Sequence, residues 1–204
     1  MYKISMVSLG CPKNQVDAEQ MLYSLKQAGY EIGVPEAEAD AIIINTCGFI
    51  EDAKSEAIEN ILEAAQYKTE GNCKAVIVTG CLAERYRDDV TDEIPEADVC
   101  VGIGSNGNIA EIVKNAIEGN AKNSYGAKED LDLNGKRILG GWPFTAYLKI
   151  AEGCDNRCTY CAIPGIRGGL HSRPMEELIA EAKDMEAIGA RELVIIAQDT
   201  TAYG

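Results

Sequence analysis

Four short apolar runs, rich in β-branched residues, constrain the fold of this chain more than any other feature. They are Lys3–Ser8, Ala41–Asn45, Ala75–Thr79 and Val99–Val101. Runs with little polar alternation are typical of strands buried on both faces, as in parallel sheets covered by helices. Stretches of helical spacing separate them, at residues 16–28, 53–67 and 109–118. The alternation predicts an α/β fold with a doubly wound parallel sheet domain over residues 1–120.

One face of the second helical stretch is marked by apolar residues. Ile58, Ile61, Leu62 and Ala65 recur at the i, i+3, i+4, i+7 spacing, which places side chains on the same side of a helix. We expect this face to pack against the sheet.

Three cysteines each follow one of the apolar runs. They are Cys11, Cys47 and Cys81. The carboxyl ends of parallel strands line one edge of a sheet, so we expect the three thiols to converge there. Small buried cysteines that only fill gaps are the alternative, but three equivalent loops favour a ligand site. Cys73, at the opposite edge, and Cys100, inside a strand, are expected to be structural.

The second part of the chain repeats the strand–helix–strand pattern once. Residues 121–141 lack an apolar stripe and are predicted to be a linker. In residues 142–204 a strand is expected at 145–151, a helix whose first turn contains Pro174, and a second strand at Glu192–Gln198.

The loop after the first of these strands carries three more cysteines. Cys154, Cys158 and Cys161 have the spacing C-x3-C-x2-C. Structural zinc usually takes four protein ligands, and His171, the only histidine, is a distant candidate for the fourth. Three thiolates on a four-iron cluster leave one iron open to a substrate or cofactor. The triad therefore favours an iron–sulfur site.

Charge and cysteine usage limit the partners and the compartment. The chain has a net charge of −14, and residues 1–135 carry eleven basic and twenty-four acidic side chains. Such a chain is expected to attract a basic protein more readily than a nucleic acid. No apolar run reaches the length of a membrane span, and the start resembles a strand rather than a signal peptide. Eight cysteines without a secretion signal predict a cytoplasmic protein.

One glycine pattern suggests a different function. Gly102, Gly104 and Gly107 form G-x-G-x-x-G between a strand and a helix. A dinucleotide site also needs an acidic residue at the end of a following strand, and the predicted linker occupies that region. We therefore interpret these glycines as a strand-to-helix turn.

The C-x3-C-x2-C motif, with Tyr160 just before its last cysteine, resembles the radical S-adenosylmethionine (SAM) superfamily. The upstream cysteines make the chain similar to the methylthiotransferases within it. Seven segments carry that resemblance: residues 8–14, 16–19, 45–50, 79–86, 149–168, 172–174 and 193–204. They most resemble the branch that modifies a ribosomal protein, because the tRNA-modifying branch typically has other residues at Pro12 and Lys13.

The resemblance implies a transferase with two 4Fe–4S clusters and SAM as cofactors. The cluster that binds and cleaves SAM would be held by Cys154, Cys158 and Cys161. The other cluster, which carries the sulfur to be inserted, would be held by Cys11, Cys47 and Cys81. The substrate would be the β-carbon of an aspartate in small-subunit ribosomal protein twelve, with a second SAM giving the methyl group and a cellular donor giving electrons. Tyr160, Gln198 and Asp199 would contact SAM.

The chain also departs from the family. Residues 168–171 read GGLH where relatives usually carry a basic pair. The family's partial barrel needs more strand–helix units than residues 142–204 provide, so we expect only the beginning of a radical SAM (β/α) barrel, in a C-terminally truncated chain. Two alternatives stay open: a tRNA-modifying methylthiotransferase, and a non-catalytic iron–sulfur-binding module.

Overall fold

A computed structural model describes residues 1–140 and 144–204 of the chain. Its first part is a five-stranded sheet in which all neighbouring strands are parallel and whose order is β2-β1-β3-β4-β5. The strands are β1 (Lys3–Ser8), β2 (Glu31–Ile32), β3 (Ala41–Thr46), β4 (Ala75–Gly80) and β5 (Val99–Val101). The predicted doubly wound α/β fold is confirmed.

Helices cover both faces of this sheet. They are α1 (Pro12–Gln27), α2 (Glu51–Glu70), α3 (Cys81–Tyr86), α4 (Asp88–Glu93) and α5 (Ile109–Ile117). On one face Ile42 and Val76 pack against α2. On the other face Ile43 and Ile77 pack against α1 and α5. The central strands β3 and β4 are buried along their whole length, which explains their continuous apolar sequences.

The buried face of α2 differs from the predicted one. Ile61 is buried, but Ile58 and Leu62 are about two-fifths exposed. The residues that pack against the sheet with Ile61 are Ala57 and Ala64. Alanine allows the helix to lie close to the sheet, so the smaller residues occupy the contact and the larger ones face outward.

The second part begins one further sheet. Strand β6 (Thr145–Lys149) pairs in parallel with β9 (Glu192–Ile196), and α7 (Met175–Ala187) connects them. The predicted strand at 145–151 is divided, because Ala151–Glu152 forms β7, which pairs antiparallel with β8 (His171–Ser172). A short helix, α6 (Ile163–Arg167), follows the cysteine loop. Pro174 precedes α7 as its N-cap residue rather than lying in the first turn.

The segment between the two parts packs on the first. Leu131 and Leu133 are buried against Ile103. The glycine-rich turn after β5 is a 3-10 helix at Ile103–Asn108, and a Cβ on Gly104 would lie 1.9 Å from the Ala127 carbonyl oxygen. Close packing of backbone on backbone thus accounts for that glycine. The expected boundary at 141–142 lies outside the described residues.

Within residues 1–140 and 144–204, no helix combines the length and hydrophobicity needed to cross a membrane.

Candidate metal centre

Three cysteine loops occupy the carboxyl edge of the five-stranded sheet. Cys11 is the N-cap residue of α1, Cys47 directly follows β3, and Cys81 is the first residue of α3. In this strand order the connection after β1 runs to β2 on one side, whereas the connection after β3 runs to β4 on the other. A topological switch point therefore lies between β1 and β3. Ligand crevices of open α/β sheets form at such points. Cys11 and Cys47 flank this one.

The three loops are in direct contact with one another. A Cβ on Gly10 would lie 2.6 Å from Cys47 Cβ and 3.2 Å from its Sγ, so the chain before Cys11 lies against Cys47. A Cβ on Gly48 would lie 2.7 Å from Leu82 Cα, so the chain after Cys47 lies against α3. Glycine is needed at both positions because the loops approach so closely.

Asn14 holds these loops together from α1. Its side chain is fully buried. Its Nδ2 donates to the carbonyl oxygens of Leu9 (3.2 Å) and Thr46 (2.7 Å), one in each of two loops. Its Oδ1 lies 3.6 Å from Cys81 Sγ in the third. One amide thus fixes all three loops, a role that its sequence position does not indicate.

A basic side chain from the second part contacts the deepest thiol. The Nη2 atom of Arg167, at the end of α6, lies 3.4 Å from Cys81 Sγ. Burial raises the pKa of the Cys81 thiol, and the Arg167 guanidinium opposes that rise. Cys81 also begins a helix, where the N–H groups of the first turn, which have no partner within the helix, favour a thiolate. Arg167 and the start of the helix therefore offset part of the effect of burial on this thiol.

Beneath the thiols lies a buried network of four charged side chains. Lys149 Nζ donates to Asp17 Oδ1 (2.6 Å) and Glu152 Oε2 (3.0 Å). Arg167 Nη1 donates to Asp17 Oδ2 (2.6 Å) and Glu152 Oε2 (3.3 Å). All four side chains are at most 5% exposed. Two cations and two carboxylates balance, which buried charges require.

A second network joins the same two parts of the chain nearby. Arg137 Nη1 lies 3.1 Å from Glu19 Oε2 on α1, and Arg137 Nε lies 2.9 Å from Glu181 Oε1 on α7. Glu181 also pairs with Arg173 at 2.5 Å. Helix α1 therefore directs Asp17 at Lys149 and Arg167 of the second part, and Glu19 at Arg137 of the connecting segment.

The second cysteine triad lies in an irregular, more exposed loop. Cys154 and Cys161 are half-buried and Cys158 is exposed. The Cys154 N–H donates to the Gly168 carbonyl oxygen (3.1 Å), and a Cβ on Gly153 would lie 1.9 Å from the Gly169 carbonyl oxygen. The loop is thus fastened to the chain that follows α6. Because Arg167 ends α6, the same short segment meets both triads.

The expected SAM contacts have different surroundings. Tyr160 is 88% exposed. Gln198 Nε2 donates to Glu152 Oε1 (2.6 Å), while its buried Oε1 has no hydrogen-bond partner among the described residues. Asp199 caps the 3-10 turn at Thr200–Ala202 by accepting from the Thr201 N–H (3.0 Å). Asp199 Oδ2 also accepts from Asn156 Nδ2 (3.1 Å), in the loop of the second cysteine triad. The arrangement leaves Gln198 with a free acceptor and places Asp199 between its own turn and that loop.

Each triad offers the all-thiolate donor set that iron–sulfur clusters take. The described residues contain no group of three or more His, Cys, Asp or Glu side chains arranged to hold a metal ion. A four-iron cluster takes about one thiolate per iron, so its ligands need not converge on one point. Each triad supplies three free thiols. The buried Cys73 and Cys100 belong to the core instead, and burial raises the pKa of the Cys100 thiol to about 11.

Comparison with known proteins gives two family matches. Residues 3–102 match the family described as "Uncharacterized protein family UPF0004", and residues 148–204 match the radical SAM superfamily. The first match contains Cys11, Cys47 and Cys81, and the second contains the C-x3-C-x2-C triad. These matches, with the fold and the two thiol sets, define a radical SAM protein with an additional cysteine-bearing α/β domain.

Several similar curated proteins carry the name ribosomal protein uS12 methylthiotransferase RimO. The chain is 55% identical to the one from Desulforamulus reducens over 100% of its own length, and 52% identical to the one from Pelotomaculum thermopropionicum over 99%. The protein from Geobacter sulfurreducens is 50% identical over 99% of the chain. The chain belongs to the radical SAM methylthiotransferase family that these proteins represent. It spans 46% of the length of each of these relatives.

Proposed function

We propose that this chain is part of a methylthiotransferase that adds a methylthio group to the β-carbon of an aspartate in small-subunit ribosomal protein uS12. The observation that carries the proposal is the link that one short segment, at the end of α6, makes between the two thiol sets. The three loops of the first set contact one another at the edge of the sheet, and Arg167 joins that edge to the segment that fastens the second. The names of the similar proteins support the choice of substrate.

In the proposed mechanism, each cysteine triad holds one 4Fe–4S cluster. Cys11, Cys47 and Cys81 bind the first, and Cys154, Cys158 and Cys161 the second. Bound there, the clusters supply reductive cleavage of SAM and the sulfur that is inserted. The chain positions the two sites next to each other and keeps water away from the deeper one, where Cys81 is only 7% exposed.

Gln198 is the better supported of the proposed SAM contacts. A buried acceptor without a partner is unfavourable unless a ligand donates to it. The Oε1 atom of Gln198 is such an acceptor, and the hydrogen bond from Gln198 Nε2 to Glu152 holds the amide in place. An ammonium group of SAM is a suitable donor. For Tyr160 and Asp199 the resemblance alone supports a role.

The proposed protein partner is basic, and nucleic acid is not a direct substrate. The net charge of −14 repels phosphates and attracts a basic ribosomal protein. Raising the salt concentration is therefore expected to weaken binding of the partner. The eight free cysteines fit a cytoplasmic protein supplied with electrons by a cellular donor.

The test is anaerobic reconstitution followed by iron analysis. Replacing Cys154, Cys158 and Cys161 with alanine should remove about half of the iron, because each triad supplies one cluster. Cys73→Ser and Cys100→Ser are the matched controls and should keep all of it. Iron that is unchanged in the triad variant, or halved in a correctly folded control, contradicts the ligand assignment.

The substrate assignment needs a competition experiment. The reconstituted full-length protein is given both ribosomal protein uS12 and tRNA, and the products are identified by mass spectrometry. Modification of the ribosomal protein alone is expected. Methylthiolated tRNA with unmodified ribosomal protein would refute the substrate while leaving the two-cluster assignment intact.

A further inference from the structure

A buried guanidinium lies against one of the thiols assigned to the first cluster. Arg167 Nη2 is 3.4 Å from Cys81 Sγ. The Arg167 side chain is 1% exposed, so the contact lies in the protein interior. A charged donor next to a sulfur there interacts much more strongly than it would in water.

The position of Arg167 is fixed by its other hydrogen bonds. Besides Asp17 and Glu152, the guanidinium donates to Asn14 Oδ1. Asn14 Oδ1 is also the atom that approaches Cys81 Sγ at 3.6 Å. Arg167 and Asn14 thus form a rigid frame around one sulfur, and the frame spans both parts of the chain.

Lys149 provides an internal comparison. It contacts the same two carboxylates, Asp17 at 2.6 Å and Glu152 at 3.0 Å, and is equally buried. In the described residues, the side-chain hydrogen bonds of Lys149 go only to these carboxylates. Balancing the carboxylates is therefore a role that Lys149 and Arg167 share, whereas contact with the thiol belongs to Arg167.

We propose that Arg167 is a positioning residue, which orients the Cys81 sulfur for cluster binding and stabilises negative charge on that sulfur. A hydrogen-bonding cation next to a ligating sulfur favours the reduced, more negative cluster and so raises its reduction potential. Arg167 would also link the geometry of this cluster to the segment that fastens the second cysteine loop. The inference rests on the proposed function, because it takes Cys81 to be a cluster ligand.

The test measures the reduction potential of the first cluster alone. The background is the chain in which Cys154, Cys158 and Cys161 are alanine, reconstituted anaerobically. Arg167→Met and Lys149→Met each remove one positive charge from the same network, so they form a matched pair. Potentials are measured by redox titration monitored by electron paramagnetic resonance, and iron content and thermal unfolding are recorded alongside.

We expect Arg167→Met to shift the potential to a more negative value than Lys149→Met does. Arg167→Lys, which keeps the charge but loses the planar fork, should lie between the parent and Arg167→Met. Should Arg167→Met not fold, the shift in Arg167→Lys relative to the parent decides the question. Equal shifts of the reduction potential in Arg167→Met and Lys149→Met would overturn the proposal. If Arg167→Met does not fold, an unchanged potential in Arg167→Lys would overturn it.

A further variant separates this inference from the proposed function. Cys81→Ala in the same background should lose the cluster. Retention of the iron in that variant contradicts the ligand assignment itself. Loss of the iron, together with equal potentials in Arg167→Met and Lys149→Met, contradicts only the role of Arg167.

Discussion

Replacing Gly80 with alanine tests whether close backbone packing positions Cys81. Gly80 ends β4 and directly precedes the cysteine, with φ +93° and ψ −158°. This conformation lies in a region that is essentially restricted to glycine. A Cβ would also lie 2.4 Å from the Thr46 carbonyl oxygen and 2.7 Å from the Thr46 nitrogen, both on β3. Neither atom can move without disturbing the sheet.

Two costs add in Gly80→Ala. The strained backbone costs about 1–3 kcal/mol, and forcing a methyl group into occupied space costs typically about 1–3 kcal/mol more. Gly29→Ala is the matched control, because Gly29 also has a positive φ of +87° but nothing lies within 4 Å of its Cβ position. The reduced entropy of the unfolded chain favours both variants similarly and cancels in the comparison. We therefore expect Gly80→Ala to lose about 1–3 kcal/mol more than Gly29→Ala.

The assay is urea unfolding of the reduced, iron-free chain, followed by circular dichroism. Iron content after anaerobic reconstitution gives a second measurement, and we expect it to fall in Gly80→Ala because Cys81 is displaced. Gly29→Ala should reconstitute normally, since Gly29 follows α1 far from the thiols. If the two variants lose equal stability, β3 shifts to accommodate the added methyl group at no cost, and the packing argument is wrong.

Two further predictions concern the buried charges. Burial favours the neutral acid, but the charges of Lys149 and Arg167 outweigh it and lower the pKa of Glu152 to about 2. A folded-state pKa below the ordinary value of 4.5 gives stability that is present above pH 4.5 and lost as the pH falls toward 2. In thermal unfolding measured between pH 7 and 2, the melting temperature of Glu152→Gln should therefore fall less steeply with acid than that of the parent. The second prediction compares Asp17→Asn and Lys149→Met, each of which should lower the free energy of unfolding by about 3–5 kcal/mol because a buried charge is left unmatched. In urea unfolding, the double variant should lose less stability than the sum of the two single variants, by about 0.5–3 kcal/mol.

Much of the sheet could be predicted because its strands are buried on both faces. The predicted first and last strands match β1 (Lys3–Ser8) and β5 (Val99–Val101) at both ends. The two central strands each extend one residue further than expected. The short strand β2 was not predicted, because two residues carry no periodicity. The positions of the first three cysteines followed from the same pattern, since Cys47 and Cys81 directly follow strand ends and Cys11 lies three residues after β1.

The buried face of α2 was predicted incorrectly for a physical reason. Periodicity selects the largest apolar residues, and Ile58 and Leu62 satisfy it. Helix–sheet distance depends instead on the residues at the contact, and Ala57 and Ala64 permit a closer approach. A pattern of hydrophobicity therefore identified the helix but not its orientation.

The charged residues beneath the thiols could not be identified from sequence, and they change how the acidic composition should be interpreted. Asp17 lies 132 residues from Lys149 and 150 from Arg167, so only the folded chain brings them together. Asp17 and Glu19 count toward the negative charge of the first part. In the interior, however, basic residues of the second part neutralise Asp17, and Arg137 of the connecting segment neutralises Glu19. Their field is that of compact pairs and falls off quickly. Attraction of the proposed basic partner must therefore come from exposed acids such as Glu56 and Glu59 on α2. These residues should determine the salt dependence of that binding.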